Sequence, residues 1–321
     1  MSDLPETVDV VGVGINATDT IIRLPRFPEF NSKVEILSVE VQPGGQVASA
    51  LVACQRWGLR TRYVGKVGED EAGRMQVSTF AREGVAAEVI VAAGASSQMA
   101  FILVDEDSGE RTILWKRDAD VALRPEDLRP EWITQARVLH VDGHDTAAAA
   151  TAARWARLAR IPVSADLDTV YPGVEALLPN VDYMITSRQF PERITGESDL
   201  RNSLPALMKR YRCKVAAATM GSEGVLAWDG AAFRYSPAFE VNVRDTTGAG
   251  DIFHGAYLYG LFQGWSIERQ LEFSSAAAAL NCTAAGARGK ISPIADIEEL
   301  MRTGRRLESA YQPGALKGSG G

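Results

Sequence analysis

The chain has 321 residues, 46% hydrophobic and 23% charged, enough for a sizeable core and for one large α/β domain or two ordinary ones. Against 34 basic side chains stand 41 acidic ones, a net charge of −7 with a pI near 5.2, and the basic runs are no longer than pairs; this excludes the basic face of a nucleic-acid binder and makes any phosphate site a local one. No apolar run reaches the roughly 18 residues of a membrane span, the acidic, polar start is unlike a secretory signal, and Cys54, Cys213 and Cys282 are scattered without metal spacing, which points to reduced thiols in a cytoplasmic protein.

In chain order, Val8 to Val13 is a short apolar run that reads as a buried strand. The stretch 17–41 holds Pro25 and Pro28, has no helical period and alternates in places like edge strands. Gln46 to Trp57 then reads as a helix, with Val47, Ala50, Leu51, Cys54 and Trp57 on one face and Gly58 as its stop. A strand at 62–67 and a helix at 71–82 follow. Segments 99–104 and 111–115, with a turn at Asp107-Ser108-Gly109, read as a hairpin. From Arg137 strand and helix alternate: strands at 138–141, 162–166, 181–185 and 214–218, helices at 146–158 and 200–211. Such alternation predicts a mainly parallel sheet with helices on both faces. A second hairpin (224–228 and 231–235) precedes helices at 250–262, 267–284 and 294–308. The expectation is a single domain over 1–311, with a small β-sheet from segments 17–41 and 96–117 laid over one edge as a lid, and a disordered Gly/Ser/Pro-rich tail at 312–321.

The most informative string is Asp245-Thr-Thr-Gly-Ala-Gly-Asp251 at a helix start. Small residues there leave backbone N–H groups without intrahelical partners, and glycines let an anion approach them; with the helix dipole this makes a pocket for a transferring phosphoryl group. Asp251, in the first turn beside it, is placed to act as a base on a hydroxyl. The same string also reads as an ordinary helix start with a first-turn Asp, and it is not a Walker motif, since no Lys follows at the needed spacing.

The string resembles the C-terminal signature of the ribokinase-like PfkB carbohydrate kinase family, Asp-Thr-x-Gly-Ala-Gly-Asp, with every fixed position matched. Gly44-Gly45-Gln46 resembles the family's N-terminal signature, Arg62 to Asp70 its continuation, and Thr219-Met-Gly221-Ser-Glu-Gly224 its nucleotide-side turn. The resemblance implies a three-layer ribokinase-like core with a β lid, and phosphorylation of an alcohol on a small sugar by ATP with Mg²⁺. It further implies Asp251 as base and Gly248, Ala249 and Gly250 as anion-hole amides. Asp19, Gly44, Gly45, Gln46, Ser49 and Asp142 would face the acceptor, and Thr219, Gly221 and Gly224 would border ATP. Asp245 and Thr247, with a late loop resembling Ala285 to Gly289, would hold a monovalent cation, K⁺. Ser49 stands where the family often has Asn, and Ser187-Arg-Gln-Phe190 where many members have Asn-x-x-Glu, so Phe190 cannot order Mg²⁺ through water. That departure, with Val141-Asp142-Gly143-His144, resembles the ketohexokinase branch.

Other readings remain. Gly12-Val13-Gly14 after a strand mimics a dinucleotide fingerprint with Glu35 as ribose partner, but the prolines at 25 and 28 argue against the required helix. His140, His144 and His254 are too scattered for a metal site, and His144 alone, at a strand end, suggests a sugar contact. Asp166 and Asp168 read either as a solvated strand end or as carboxylates near Mg²⁺ or phosphate. Phe101 and Trp115 on the hairpin read as lid packing or as a wall for a nucleobase, which keeps a nucleoside acceptor open. A non-catalytic sugar sensor is disfavoured because the Asp and the Gly-rich turn are both intact. Exposed lid edges suggest a homodimer.

Overall fold

The computed structural model describes residues 7–107, 111–309 and 311; Ser108 and Gly109 of the expected turn and the tail 312–321 lie outside them. The strands are β1 (Val8–Val13), β2 (Ala17–Leu24), β3 (Ser38–Gly44), β4 (Thr61–Gly68), β5 (Ala86–Ala92), β6 (Met99–Asp105), β7 (Arg111–Lys116), β8 (Ala136–Asp142), β9 (Val163–Leu167), β10 (Tyr183–Ser187), β11 (Val215–Thr219), β12 (Val225–Trp228) and β13 (Phe233–Ser236). The helices are α1 (Gln46–Arg56), α2 (Glu71–Glu83), α3 (Pro130–Thr134), α4 (Thr146–Leu158), α5 (Phe190–Thr195), α6 (Leu200–Tyr211), α7 (Ala249–Phe262), α8 (Ile267–Asn281) and α9 (Ile294–Thr303).

Nine strands form one sheet in the order β13-β12-β11-β10-β9-β8-β1-β4-β5, parallel from β11 to β5, with the β12–β13 hairpin antiparallel at the other edge. Strand order reverses at β1, which has β4 on one side and β8 on the other. Ligands of open α/β sheets bind beyond the strand C-termini at such a reversal. Helices cover both faces. Val11, Leu139, Val163 and Ala165 pack toward α4 and α6, while α1, α7 and α8 close the opposite face around Val10, Leu51, Ile252 and Phe273. The continuous apolar runs of the parallel strands are what two-sided burial requires.

The smaller sheet runs β3-β2-β6-β7 and is separate from the first. After β1 the chain enters β2 rather than a helix, which removes the dinucleotide-binding reading of Gly12-Val13-Gly14. β3 extends past the expected limit at residue 41 to Gly44, so the small sheet delivers Gly44 and Gly45 straight to the head of α1. Neither β5 nor the short α3 and α5 appears in the sequence reading. Two expected helices end early. α8 stops at Asn281, ahead of a loop that turns at Gly286 (φ 91°), and α9 stops at Thr303, because the following segment pairs Arg306 with Phe239 as an isolated antiparallel bridge.

Candidate active site

Three helices have first turns sealed by their own side chains. Asp70 accepts the Gly73 N–H at the head of α2, Asp199 that of Arg201 at α6, and Ser266 that of Arg269 at α8. α7 begins differently, at Gly248 (φ 72°), without a side-chain acceptor. Ala249 N–H is used within the turn, on Thr246 O at 3.2 Å. The N–H groups of Gly248, Gly250 and Asp251 have no hydrogen-bond partner among the described residues. Only glycine fits at 248: a Cβ there would fall 2.1 Å from Ala287 O. Orphan amides at a helix N-terminus form an anion site.

Asp251 stands in that first turn, and its carboxylate accepts no hydrogen bond among the described residues. Burial pushes its pKa up to about 7, helped by Asp166 and Asp19 and opposed by His254 and Arg288. Asp166 is itself held below the usual carboxylate range. Burial alone would raise it, but His254, whose Nε2 lies 3.1 Å from its Oδ1, outweighs that, with His140 and the Gln46 amide contributing. The solvated strand-end reading therefore fails for Asp166. Asp168, by contrast, is exposed at the strand end. His140 is wholly buried. Among the described residues no cluster of three His, Cys, Asp or Glu side chains has metal-holding geometry.

On one side of α7 lies a largely apolar cavity of about 260 Å³, lined by Thr219, Gly221, Gly224, Phe239, Val243, Thr246, Gly250, Phe253 and Ala279 among others. All three residues expected to border the nucleotide therefore meet the anion site in one cavity. A cleft of about 1310 Å³ shares Val243 and Thr246 with it and is lined also by Arg23, Arg111 and Ile113 of the small sheet.

On the other side are the residues expected to face the acceptor. Gln42, Asp19, Ala100 and Trp115 form one row across the small sheet. Asp19 is buried and packs on Gly44, where a Cβ would fall 1.9 Å from its Oδ2; burial pushes its pKa up to about 6, with Arg288 opposing and Asp245 reinforcing. Trp115 meets the His144 ring edge-on at 5.5 Å, and His144 stacks on Tyr171 at 4.9 Å. Two expected contacts are otherwise engaged. Asp142 accepts from Ile15 N–H at 2.6 Å and His144 N–H at 3.0 Å, and burial pushes it up to about 8. Ser49 is fully buried, and its hydroxyl accepts from Arg288 Nε at 3.1 Å.

Arg288 is the residue the sequence reading missed. It also donates through Nη2 to Gly44 O at 3.0 Å; its Nη1 is buried without a partner among the described residues, and burial lowers its pKa to about 10 against the pull of Asp251, Glu83 and Asp19. The one available signal was an arginine inside the otherwise small-residue run Ala285-Gly286-Ala287-Arg288-Gly289.

That loop also backs the anion site. Gly286 N–H donates to Asp245 Oδ2 at 2.8 Å, and Thr247 donates to Asp245 Oδ1 through N–H (2.8 Å) and hydroxyl (2.7 Å). Asn281 Nδ2 donates to Thr247 O at 3.1 Å and Ala287 O at 3.4 Å. The oxygens expected to ligate a monovalent cation are thus already met by protein donors, and this set does not fit a resident K⁺.

Residues 8–294 match the description "pfkB family carbohydrate kinase". The chain belongs to the PfkB family of carbohydrate kinases. Fructokinase-1 of Oryza sativa subsp. japonica is 29% identical to this kinase over 287 residues, covering 81% of this chain and 88% of the relative. The ATP-dependent ribose-1-phosphate kinase of Halopiger xanaduensis is 27% identical over 295 residues, covering 90% and 96%. The ribokinase structure from Thermotoga maritima superposes with a TM-score of 0.79 at 22% identity, covering 92% of this chain and 100% of that one, a likeness of fold. The PfkB chain is thus a sugar or nucleoside kinase with a ribokinase-like fold. No helix among the described residues is long and apolar enough to cross a membrane.

Proposed function

We propose that this PfkB kinase transfers the γ-phosphoryl group of MgATP to an alcohol of a small sugar or sugar-like acceptor, with Asp251 as general base. Support comes from one observation above all: a carboxylate free of partners, with its pKa near 7, shares a helix start with three unpaired backbone amides. The alcohol oxygen bonds to the γ-phosphorus, the bond to the β–γ bridging oxygen breaks, ADP departs and the alcohol proton passes to Asp251. Gly248, Gly250 and Asp251 N–H groups stabilise the charge gathering on the phosphoryl oxygens, while Ala249 holds the turn. Mg²⁺ arrives with ATP, held by its phosphates and water. The apolar cavity at Thr219, Gly221 and Gly224 takes the nucleotide. Asp19 and the Gly44-Gly45-Gln46 head of α1 receive the acceptor, and the small sheet covers it as a lid that excludes water. The Trp115–His144–Tyr171 cluster favours a second reading, a nucleoside acceptor with its base against the aromatic wall. A thermal-shift screen of sugars and nucleosides, followed by ADP release on the hits, separates the two.

The base assignment is tested with Asp251→Asn, which keeps shape and removes the proton acceptor. Base assistance is worth about 10²–10⁴-fold, so kcat should fall at least about a hundredfold, or about 2.7 kcal/mol, while calorimetric affinities for MgATP and acceptor stay nearly constant. In the native enzyme kcat/KM should fall about tenfold per pH unit below about 7, where Asp251 takes up its proton. Retention of more than about a tenth of kcat refutes the assignment.

The same reading places the enzyme in the cytoplasm as a homodimer. Val41, Phe101 and Leu114 lie exposed in one row across the small sheet, with Thr20 between the first two and Val39 beside them, a surface suited to a second copy. Sedimentation as a monomer at micromolar concentration contradicts it.

A further inference from the structure

We propose that the buried amide of Asn281 occupies the position of a monovalent cation behind the anion site, so that this kinase works without K⁺. Asn281 ends α8 and is 0% exposed. Its nitrogen meets two carbonyls from different parts of the chain, Thr247 O at 3.1 Å and Ala287 O at 3.4 Å, and its Oδ1 accepts Lys290 N–H at 3.0 Å. Both amide hydrogens are thereby used.

The position is strategic. Thr247 directly precedes Gly248, and Ala287 O is the atom against which Gly248 packs. Two carbonyl dipoles converging on one point repel unless something positive lies between them. A cation supplies that with a full charge; the Asn281 NH₂ group supplies it with two N–H dipoles, and an ion between the same carbonyls would fall on its nitrogen. Asp245, the natural counter-charge, needs no ion either, since its oxygens take three donors, from Thr247 N–H, Thr247 hydroxyl and Gly286 N–H. Three chain segments that shape the anion site are thus joined by a side chain in place of an ion.

The inference rests on the 248–251 amides as the phosphate site, but its test uses K⁺ as the probe and needs neither the acceptor nor Asp251. The full-length protein is melted in KCl and in choline chloride at equal ionic strength, and MgATP affinity is measured calorimetrically in both. For the native chain the midpoints should coincide and the two Kd values agree within about twofold, under about 0.4 kcal/mol. Asn281→Ala removes the amide and exposes the two carbonyls. It should melt lower in choline chloride, regain about 2 °C or more in KCl, and bind MgATP more tightly there. Asn281→Asp, of the same shape, puts a carboxylate against the carbonyls and should depend on K⁺ more strongly still, which covers the case in which the alanine variant does not fold. Stabilisation of the native chain by K⁺ over choline overturns the proposal. So does a loss in the variants that K⁺ does not restore, which would make Asn281 a packing residue alone. Either failure leaves Asp251 as base untouched, because that assignment is read from kcat.

Discussion

The two sides of α7 are built on different principles. The side proposed for the nucleotide is mostly backbone: glycines at 221, 224 and 248 with positive φ, an uncapped helix start and apolar walls. The side proposed for the acceptor is mostly side chain: Asp19, Trp115, His144, Tyr171 and Arg288, brought from β2, β7, two loops after strands and the loop after α8. A triphosphate, common to kinases, would be served by fixed amides and shape. The acceptor is what differs between such enzymes, and side chains are what a chain can exchange without disturbing its backbone. The division teaches that substitutions on the two sides should fail differently.

The largest effect is expected on the backbone side. Gly248→Ala places a Cβ 2.1 Å from Ala287 O at a residue with φ 72°, so the turn must move and its amides lose their aim. Loss of an anion-hole donor typically costs about 10²–10³ in kcat. Stopped-flow kinetics should show a loss in that range with acceptor affinity preserved; an unchanged kcat would mean that the amides do not act in the chemical step.

Arg288→Ala should fail in the opposite sense. It removes charge-assisted bonds to Ser49 and Gly44, at the head of the helix that faces the acceptor. Such bonds are worth about 1.5–3 kcal/mol, so acceptor KM should rise about tenfold to a hundredfold with the KM for MgATP within about twofold. An equal rise in both would erase the distinction between the sides.

The smallest expected effect is on stability. Asp142 and Asp251 are pushed from 3.8 up to about 8 and about 7 by burial, so the folded chain holds protons that the unfolded chain has released. Stability from these groups is full below about pH 3.8 and drains as pH rises through about 7 and 8, by at most about 1.4 kcal/mol per pH unit for each group. His140 and His144, lowered by burial to about 3 and about 4, act in the opposite direction, but only below about pH 6.5, where unfolded histidine takes up protons. The urea midpoint should therefore fall between about pH 6.5 and 8 and level off above that, and Asp142→Asn should flatten the slope. A midpoint that rises over this interval contradicts the proton balance.

The glycine turn and uncapped start of α7 were legible because a contiguous string encodes them. Seven residues from Asp245 to Asp251 specify a turn and a helix start by local geometry alone, whatever surrounds them. The alternating strands and helices beyond residue 137 were legible for the same reason, since hydrophobic period is local, and the errors there are of one or two residues at most strand ends. β5 went unread although Ala86 to Ala92 carries the apolar run Val89-Ile90-Val91; it lies half-exposed at a sheet edge. Ser49 and Asp142 read as acceptor contacts because their positions matched. Their hydroxyl and carboxylate are claimed by an arginine 239 residues away and by an amide 127 residues away, partners no local pattern announces.

By itself the sequence determined the order of elements, the two-sided burial of the parallel strands, the uncapped glycine turn and the acid that follows it. These rest on propensities and spacings within a few residues. Only the tertiary structure decided that Arg288 meets Ser49 and Gly44, that His254 pairs with Asp166, and that the Asn281 amide ties Thr247 to Ala287. Each of these depends on where a long-range crossover sets two segments down. Hydrogen bonds, which require a few tenths of an ångström, cannot be read from a chain until that placement is known.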